Sequence, residues 1–238
     1  MEKTNWNILN TRPLAASLLE AAAAKGFLID CLSFIDTEPI QNEELEQKIK
    51  DVAAQQATVV FTSMNAVEAV HRYVGQKPYW RIYAIGNTTK QLAEQHLSPV
   101  LGTADNAAQL ADVIINNKET EVTFFCGDIR RDELPEKLKA AGILLDEVMV
   151  YRTIPLQHTL TKQYDGVLFY SPSAVHSFFE ANSLQSEVVL FAIGQTTAAA
   201  LNTYTTNRIY VADSPSKEGL VEDMMEYFLT TNKSPTNE

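Results

Sequence analysis

Hydroxyl side chains follow two apolar stretches in each half of this chain, in nearly the same sequence. FTSMNAVEAV begins at Phe61 and FYSPSAVHSF at Phe169, while AIGNTT at Ala84 returns as AIGQTT at Ala192. Each stretch follows a strand-like run and precedes a helix-like run, which predicts serines and threonines at the carboxyl edge of a sheet. Hydroxyls there cap the next helix, and the free amides of its first turn attract carboxylates or phosphates.

A single hydroxyl at such an edge has an ordinary structural role. Ser63, Thr88 or Ser171, taken alone, is expected to be a helix N-cap. Several such edges in two matching halves instead favour the binding of one large ligand with many carboxylates. The formal charge of −11 agrees with local binding of this kind, because an acidic protein must hold an anion through dipoles and a few placed cations. The same charge argues against nucleic acid or an anionic membrane as a partner.

Other kinds of site find little support in the sequence. The motifs GxGxxG, GxxxxGK and GxSxG are absent, although a Ser–His–Asp triad remains an open alternative. The four histidines lack metal-ligand spacing, so no metal site is predicted. Arg130 and Arg131 are interpreted as surface charges or, with less support, as contacts for an anion.

The bulk composition is that of an ordinary globular protein. Its 238 residues are 45% hydrophobic, no apolar run approaches the length of a membrane span, and the first residues do not resemble a secretory signal. A cytoplasmic protein is therefore expected. Cys31 and Cys126 both lie in apolar strand-like runs, which predicts two buried free thiols.

Two repeat registers predict the fold. The FTS and AIG motifs recur 108 positions later, and GFLID at Gly26 returns as GILLD at Gly142. Apolar strand-like runs alternate with helical periods throughout, which indicates a parallel α/β architecture. The prediction is a duplicated chain with nine strands, nine helices and two similar parallel-sheet α/β lobes.

The ordered motifs resemble those of the uroporphyrinogen-III synthase family over nearly the whole chain. They are TRP at Thr11–Pro13, FTSMNAVEA, AIGNTT, FCGDIRR, VYRT, FYSPSAV, AIGQTT and DSPSKEGLV. The resemblance implies a cofactor-free cytoplasmic lyase of tetrapyrrole, porphyrin and heme synthesis. Such an enzyme closes hydroxymethylbilane into uroporphyrinogen III, inverting the last pyrrole ring and losing water. The substrate's eight carboxylates match the polyanion expected from the helix edges.

The resemblance also implies a division of the chain. One lobe is expected at 1–34 plus 157–230, and the other at 39–150. Strands at 35–38 and 151–156 would form a two-stranded connector, with the ligand cleft between the lobes and a frayed tail at 231–238. Each half would thus lend its first βα unit to the later strands of the other half. A monomer is expected.

The family motifs imply site residues as well. The tyrosine of the VYxT motif, the favoured proton donor to the leaving hydroxyl, falls on Tyr151, although a packing role for a connector tyrosine competes with this reading. The other motif positions expected to bind substrate are Thr11, Arg12, Ser63, Thr88, Thr89, Gly127, Arg130, Ser171, Ser173, Thr196, Thr197 and Ser214.

Departures from the family pattern leave two alternatives open. Many relatives have Pro-Arg after FTS, whereas this chain has Met64-Asn65, which removes one candidate cation. One alternative is therefore a catalytically weak relative that binds tetrapyrroles or other polycarboxylates. The second is a two-lobed small-molecule-binding protein, since that architecture also places strand edges around a ligand.

Overall fold

Strands and helices alternate along the chain in a computed structural model that describes residues 5–213 and 216–231. The strands are β1 (Trp6–Asn10), β2 (Phe27–Cys31), β3 (Ile35–Pro39), β4 (Thr58–Phe61), β5 (Arg81–Ile85), β6 (Val100–Ala104), β7 (Glu121–Gly127), β8 (Leu144–Pro155), β9 (Gly166–Phe169), β10 (Val189–Ala192) and β11 (Ile209–Val211). The helices are α1 (Ala16–Ala23), α2 (Glu43–Ala53), α3 (Met64–His71), α4 (Gly86–His96), α5 (Ala107–Asn116), α6 (Glu133–Ala140), α7 (Pro172–Ala181), α8 (Gln195–Leu201) and α9 (Lys217–Thr231). None of the helices in these ranges is long and apolar enough to cross a membrane.

The chain divides into two compact units. The first contains the residues up to Asp36 together with those from Pro155 onward, and the second contains Thr37–Ile154. The chain leaves the first unit within β3 and re-enters it at the end of β8.

The first unit is built on a five-stranded sheet in the order β11-β10-β9-β1-β2. All four strand pairs are parallel, and β1 pairs with β9 although their sequences are far apart. Successive residues of β9 point to opposite faces, so Val167 and Leu168 enter different hydrophobic clusters. Both faces are therefore buried, which explains why β9 and β10 are apolar throughout.

The second unit has a six-stranded sheet in the order β3-β8-β7-β4-β5-β6. The pairs β4/β5, β4/β7, β5/β6 and β7/β8 are parallel. Val59 and Val60, adjacent on β4, again belong to clusters on opposite faces of the sheet. This sheet is also covered on both sides, as a parallel sheet requires.

The two sheets follow one topology, which explains the sequence repeat. The order β11-β10-β9-β1-β2 corresponds to β6-β5-β4-β7-β8, with β3 added at the edge of the second sheet. The elements β9, α7 and β10 each begin 108 positions after β4, α3 and β5. Gly26 and Gly142, which precede β2 and β8, both have positive φ, of 86° and 77°, which favours glycine at these two turns. The predicted fold class of two parallel-sheet α/β lobes is confirmed.

Three local predictions were wrong. Val100–Ala104 was not predicted as a strand because Gly102 interrupts its apolar pattern and its residues are only half-buried at the sheet edge. The run GFLIDCLSFI at Gly26 was predicted as one strand, but β2 ends at Cys31 and Ile35 begins β3, which belongs to the other sheet. Cys31 is exposed rather than buried because β2 is an edge strand, whereas Cys126 on the inner strand β7 is buried.

A buried carboxylate joins the amino ends of three strands in the second sheet. Glu119, two residues before β7, is 8% exposed. Its Oε1 accepts a hydrogen bond from the Tyr83 hydroxyl at 2.9 Å, and its Oε2 accepts from Thr58 Oγ1 at 2.8 Å. Arg81 Nη2 also donates to Oε2, at 2.6 Å. Burial, reinforced by the bond to Glu119, raises the pKa of Tyr83.

Candidate functional site

Each sheet has a point at which the direction of strand addition reverses. It lies between β9 and β1 in the first unit and between β4 and β7 in the second. Ligands of open α/β sheets bind outside the carboxyl ends of the strands at such points. The hydroxyl-bearing motifs FYS and FTS follow β9 and β4, so the repeat places one candidate edge in each unit.

A pocket of about 320 Å³ lies at the reversal point of the second unit. Its apolar lining includes Ile85, Phe124 and Leu134. Its polar lining includes Ser63, Tyr151, Asp105, Arg130 and Arg131. The predicted residues Ser63, Gly127, Arg130 and Tyr151 are therefore brought together, although they are distant in sequence.

The hydroxyl of Tyr151 is held by Ser63. Ser63 is the N-cap of α3, where its Oγ accepts a hydrogen bond from the amide of Ala66 at 3.3 Å. The same Oγ donates to the Tyr151 hydroxyl oxygen at 3.1 Å. The phenol accepts this bond and donates to no acceptor among residues 5–213 and 216–231, so its own proton is available to a ligand.

Gly127 provides the space that the Tyr151 ring occupies. The two residues are register partners, and the pairing is irregular between Cys126 and Gly127. A Cβ atom at Gly127 would lie 2.5 Å from both Cε2 and Cζ of Tyr151. The absence of a side chain at this position therefore sets the position of the tyrosine.

Replacing Gly127 with alanine is expected to lower the free energy of unfolding by about 1–3 kcal/mol, because the added methyl group must push the Tyr151 ring aside. Urea unfolding measures this change. Gly75→Ala is the matched control, since a Cβ there meets nothing within 4 Å. Equal stability of the two variants would contradict the proposed close packing.

The two neighbouring arginines of the pocket differ in their partners. Arg130 is paired with Asp132 and Glu147, so its charge is already compensated. This differs from the prediction that Arg130 helps to bind an anion. Arg131 is exposed and has no ion pair within the described part of the chain, which makes it the available cation at this edge.

The matching edge of the first unit is tied together by buried hydrogen bonds. Thr11 is buried, and its Oγ1 donates to the carbonyl oxygen of Leu168 at 2.7 Å. Tyr170 donates to Oδ1 of buried Asn10 at 2.7 Å, and burial raises the pKa of Tyr170. The prediction that Thr11 presents its hydroxyl to a ligand therefore differs from the structure, because that hydroxyl joins β1 to β9. Arg12, in contrast, is exposed.

The other serines and threonines predicted to bind substrate, where the structure describes them, differ in their hydrogen bonds and in their exposure. Ser171 caps α7 by accepting from the amide of Ala174 at 3.3 Å, and Ser173 donates to Ser171 at 3.3 Å. At the first turns of α4 and α8, Thr88 and Thr196 are exposed, whereas Thr89 and Thr197 are 5% and 1% exposed. The two buried side chains thus face the protein interior, in contrast to the prediction. Ser214 lies outside the described residues.

Comparison with known sequences decides the family. The sequence model of the uroporphyrinogen-III synthase HemD family matches residues 16–222, which is most of the chain. The chain belongs to the uroporphyrinogen-III synthase family. It is 27% identical over 150 residues to the uroporphyrinogen-III synthase of Saccharomyces cerevisiae. That alignment covers 52% of this chain and 54% of the yeast protein, so it spans about half the length of this curated relative.

Solved structures of the uroporphyrinogen-III synthase family share the fold. The uroporphyrinogen-III synthetase of Helicobacter pylori 26695 is 18% identical with a TM-score of 0.69, over 94% of this chain and 99% of that one. A mutant uroporphyrinogen III synthase from the extremely thermophilic bacterium Thermus thermophilus is 16% identical with a TM-score of 0.63, over 95% and 99%. At these identities the comparison shows a common fold.

Two charged residues of the pocket were not among the site residues predicted for this family member. Asp105 follows β6, a strand that was not predicted, although TADNAAQL carries the hydroxyl and amide side chains of a helix start. Arg131 adjoins a predicted residue, and the ion pairs of Arg130 with Asp132 and Glu147 distinguish the two. The double-arginine motif indicated a cation at this edge, but not which of the two arginines is available.

Proposed function

We propose that this protein closes hydroxymethylbilane into uroporphyrinogen III, with inversion of the last pyrrole ring and loss of water, in heme and porphyrin biosynthesis. The observation that carries the proposal is the Tyr151 hydroxyl, whose oxygen accepts a hydrogen bond from Ser63 and which donates to no acceptor among the described residues, at a pocket that also contains Arg131. Membership of the synthase family supports the same reaction.

Binding of the substrate rests on local groups. Exposed groups in each unit are suited to its carboxylates: Arg12 and Thr196 in the first unit, and Arg131 and Thr88 in the second, with the threonines in the first turns of α8 and α4. The free amides of these helix starts favour negative charge. Such contacts can hold a polyanion on a protein whose own formal charge is −11.

The chemistry begins with departure of the terminal hydroxyl group. Tyr151 donates its proton to the leaving oxygen, the C–O bond breaks with its electron pair on oxygen, and water leaves. The azafulvenium cation that remains, which keeps its N–H, is attacked by the substituted carbon of the last ring, which gives a spiro intermediate. Fragmentation and reclosure then invert that ring. Since the unassisted reaction closes without inversion, the enzyme's main contribution is the positioning of the folded chain.

The proposal includes the protein's organisation and setting. We propose lobes at 1–34 plus 157–230 and at 39–150, with connector strands at 35–38 and 151–156. The protein acts in the cytoplasm as a monomer and needs no nucleic acid or membrane. Sedimentation of the purified protein tests the monomer, and a concentration-dependent increase in mass would contradict it.

Isomer analysis of the product tests the proposed reaction. The purified protein is mixed with freshly generated hydroxymethylbilane, the product is oxidised to porphyrin, and the isomers are separated. We expect the type III isomer well above the type I background. Type I alone, at the spontaneous rate, would contradict the proposal. Tight binding of uroporphyrinogen without inversion would instead indicate a relative that binds tetrapyrroles.

Replacing Tyr151 with phenylalanine is expected to lower kcat for the type III isomer about tenfold. General acid catalysis often contributes more, but the hydroxyl here also leaves without an enzyme, so protonation removes only part of the barrier. The type I share should rise as spontaneous closure competes. Tyr79→Phe is the control because Tyr79 is 85% exposed and lies outside the pocket. A Tyr151 variant as fast as the Tyr79 variant would remove the proton-donor role.

A further inference from the structure

Asp105 is a charged residue at the pocket of the second unit, directly before the N-cap of α5. It is exposed and lines the pocket, and it has no hydrogen bond or ion pair within the described ranges. The cap of α5 is supplied by its neighbour Asn106, whose Oδ1 accepts from the amide of Gln109 at 2.9 Å. The cap hydrogen bond of α5 therefore does not use Asp105, whose charge favours the helix start but whose carboxylate oxygens are left to accept from a ligand.

A carboxylate in this position conflicts with a pocket that binds only anions. Like charges repel, so Asp105 would weaken the binding of any substrate carboxylate placed beside it. Arg131 lines the same pocket, yet the two side chains form no ion pair. The pocket thus offers one free positive and one free negative group, which suits a ligand that brings an acid and a hydrogen-bond donor together.

A substituted pyrrole ring has this combination of groups. Its N–H donates a strong hydrogen bond to a carboxylate. Its acetate and propionate side chains are acids that an arginine binds. The faces of the ring are apolar, as are Ile85, Phe124 and Leu134 in the pocket lining. A volume of about 320 Å³ is near the lower end of the range for small-molecule sites, which fits one ring rather than a whole tetrapyrrole.

We propose that this pocket holds the pyrrole ring whose hydroxymethyl group loses its hydroxyl, with the ring N–H donating to Asp105 and its acidic side chains at Arg131. This inference rests on the proposed function for the identity of the substrate. Tyr151 lies in the same pocket, so the ring whose hydroxyl it protonates is the ring that belongs there. Asp105 would thereby make the pocket specific for a ring that has an N–H group to donate.

The placement also serves the reaction. When the C–O bond breaks and Tyr151 supplies the proton of the departing water, the ring that lost the oxygen becomes an azafulvenium cation that keeps its N–H. The positive charge spreads onto that nitrogen, and the Asp105 carboxylate stabilises it across the hydrogen bond. No oxidant or reductant is needed, because the electron pair leaves with oxygen and the nitrogen lone pair replaces it.

Two small probes test the ring site without turnover. They are a monopyrrole with one acetate and one propionate side chain, and its N-methyl analogue, titrated into the full-length protein by NMR. We expect the parent to bind the N–H probe about tenfold more tightly than the N-methyl probe, and Asp105→Asn to reduce this ratio to about twofold, because a charged acceptor is replaced by a neutral one. Arg131→Gln should weaken both probes by a similar factor and leave the ratio unchanged.

Glu68→Gln is the matched control because it removes one exposed carboxylate from α3 outside the pocket, and its ratio should equal that of the parent. An unchanged ratio in Asp105→Asn, or no saturable shift of pocket amides in the parent, would overturn the ring site. Isomer analysis of the product tests the proposed function independently of this binding experiment. A parent that makes only type I product but shows the N–H dependence would refute the proposed function and leave the ring site standing.

Discussion

Replacing Arg131 with glutamate is expected to lower kcat/KM for type III formation about a hundredfold, a loss of about 2.7 kcal/mol in transition-state stabilisation. Arg131 is the pocket cation without an ion pair among the described residues, since Arg130 is paired with Asp132 and Glu147. Glutamate would place a charge of the substrate's own sign at this edge, turning an attraction into a repulsion. Initial rates with isomer analysis measure the effect.

The control for this prediction reverses a charge elsewhere on the same unit. Arg72→Glu alters the net charge equally, but Arg72 follows the C-terminal end of α3, whereas Ser63 caps the other end. We expect it to retain most of the parent activity. The loss of kcat/KM in Arg131→Glu should also become smaller as ionic strength rises, because salt screens exposed charges. Equal losses in the two variants would mean that overall charge, not the pocket, governs binding.

Replacing Glu119 with glutamine is expected to lower the free energy of unfolding of the second unit by about 2 kcal/mol. The Glu119 carboxylate accepts bonds from Tyr83, Thr58 and Arg81, and a neutral amide turns an NH₂ group toward these donors. Most of the loss comes from the two buried hydroxyls. The arginine contributes less, because its side chain is 63% exposed and water screens the pair.

Urea unfolding followed by the fluorescence of Trp80 measures this loss in the second unit. Trp80 is 5% exposed, and its Nε1 donates to the carbonyl oxygen of Val52 at 2.9 Å. A Trp6→Phe background removes the other tryptophan of the chain. The control is Glu121→Gln, two residues further on at an exposed position. A midpoint equal to that of the control would show that the Glu119 network contributes little.

Much of the fold could be predicted because the two halves of the chain repeat the same motifs, so each half could be compared with the other. The FTS and AIG motifs repeat 108 positions apart, and β4 and β9 begin at that same spacing. The edge strands were harder to predict, since they are buried on fewer sides and need less apolar sequence. Val100–Ala104 is such a strand, and Cys31 is exposed because it ends another.

The candidate site was predictable in its location and less so in its individual groups. Strand ends and helix caps are local features, so Ser63 and Ser171 could be placed from sequence as caps. Whether a cation is free depends on partners distant in sequence, as the pairing of Arg130 with Glu147 illustrates. The available proton of Tyr151 likewise depends on Ser63, which lies on a different strand end.

The path of the chain through its two sheets has a consequence for biosynthesis. The opening segment β1–α1–β2 cannot acquire its neighbour β9 until the ribosome has made the whole of the second unit, since Ile8 pairs with Gly166. The nascent β1 can pair with β2 but keeps its other edge unpaired, while the intervening unit, which contains the sheet strands from β4 to β8, can fold on emergence. Chaperone dependence in the cell should accordingly trace to the first thirty or so residues, about the length of one βαβ unit.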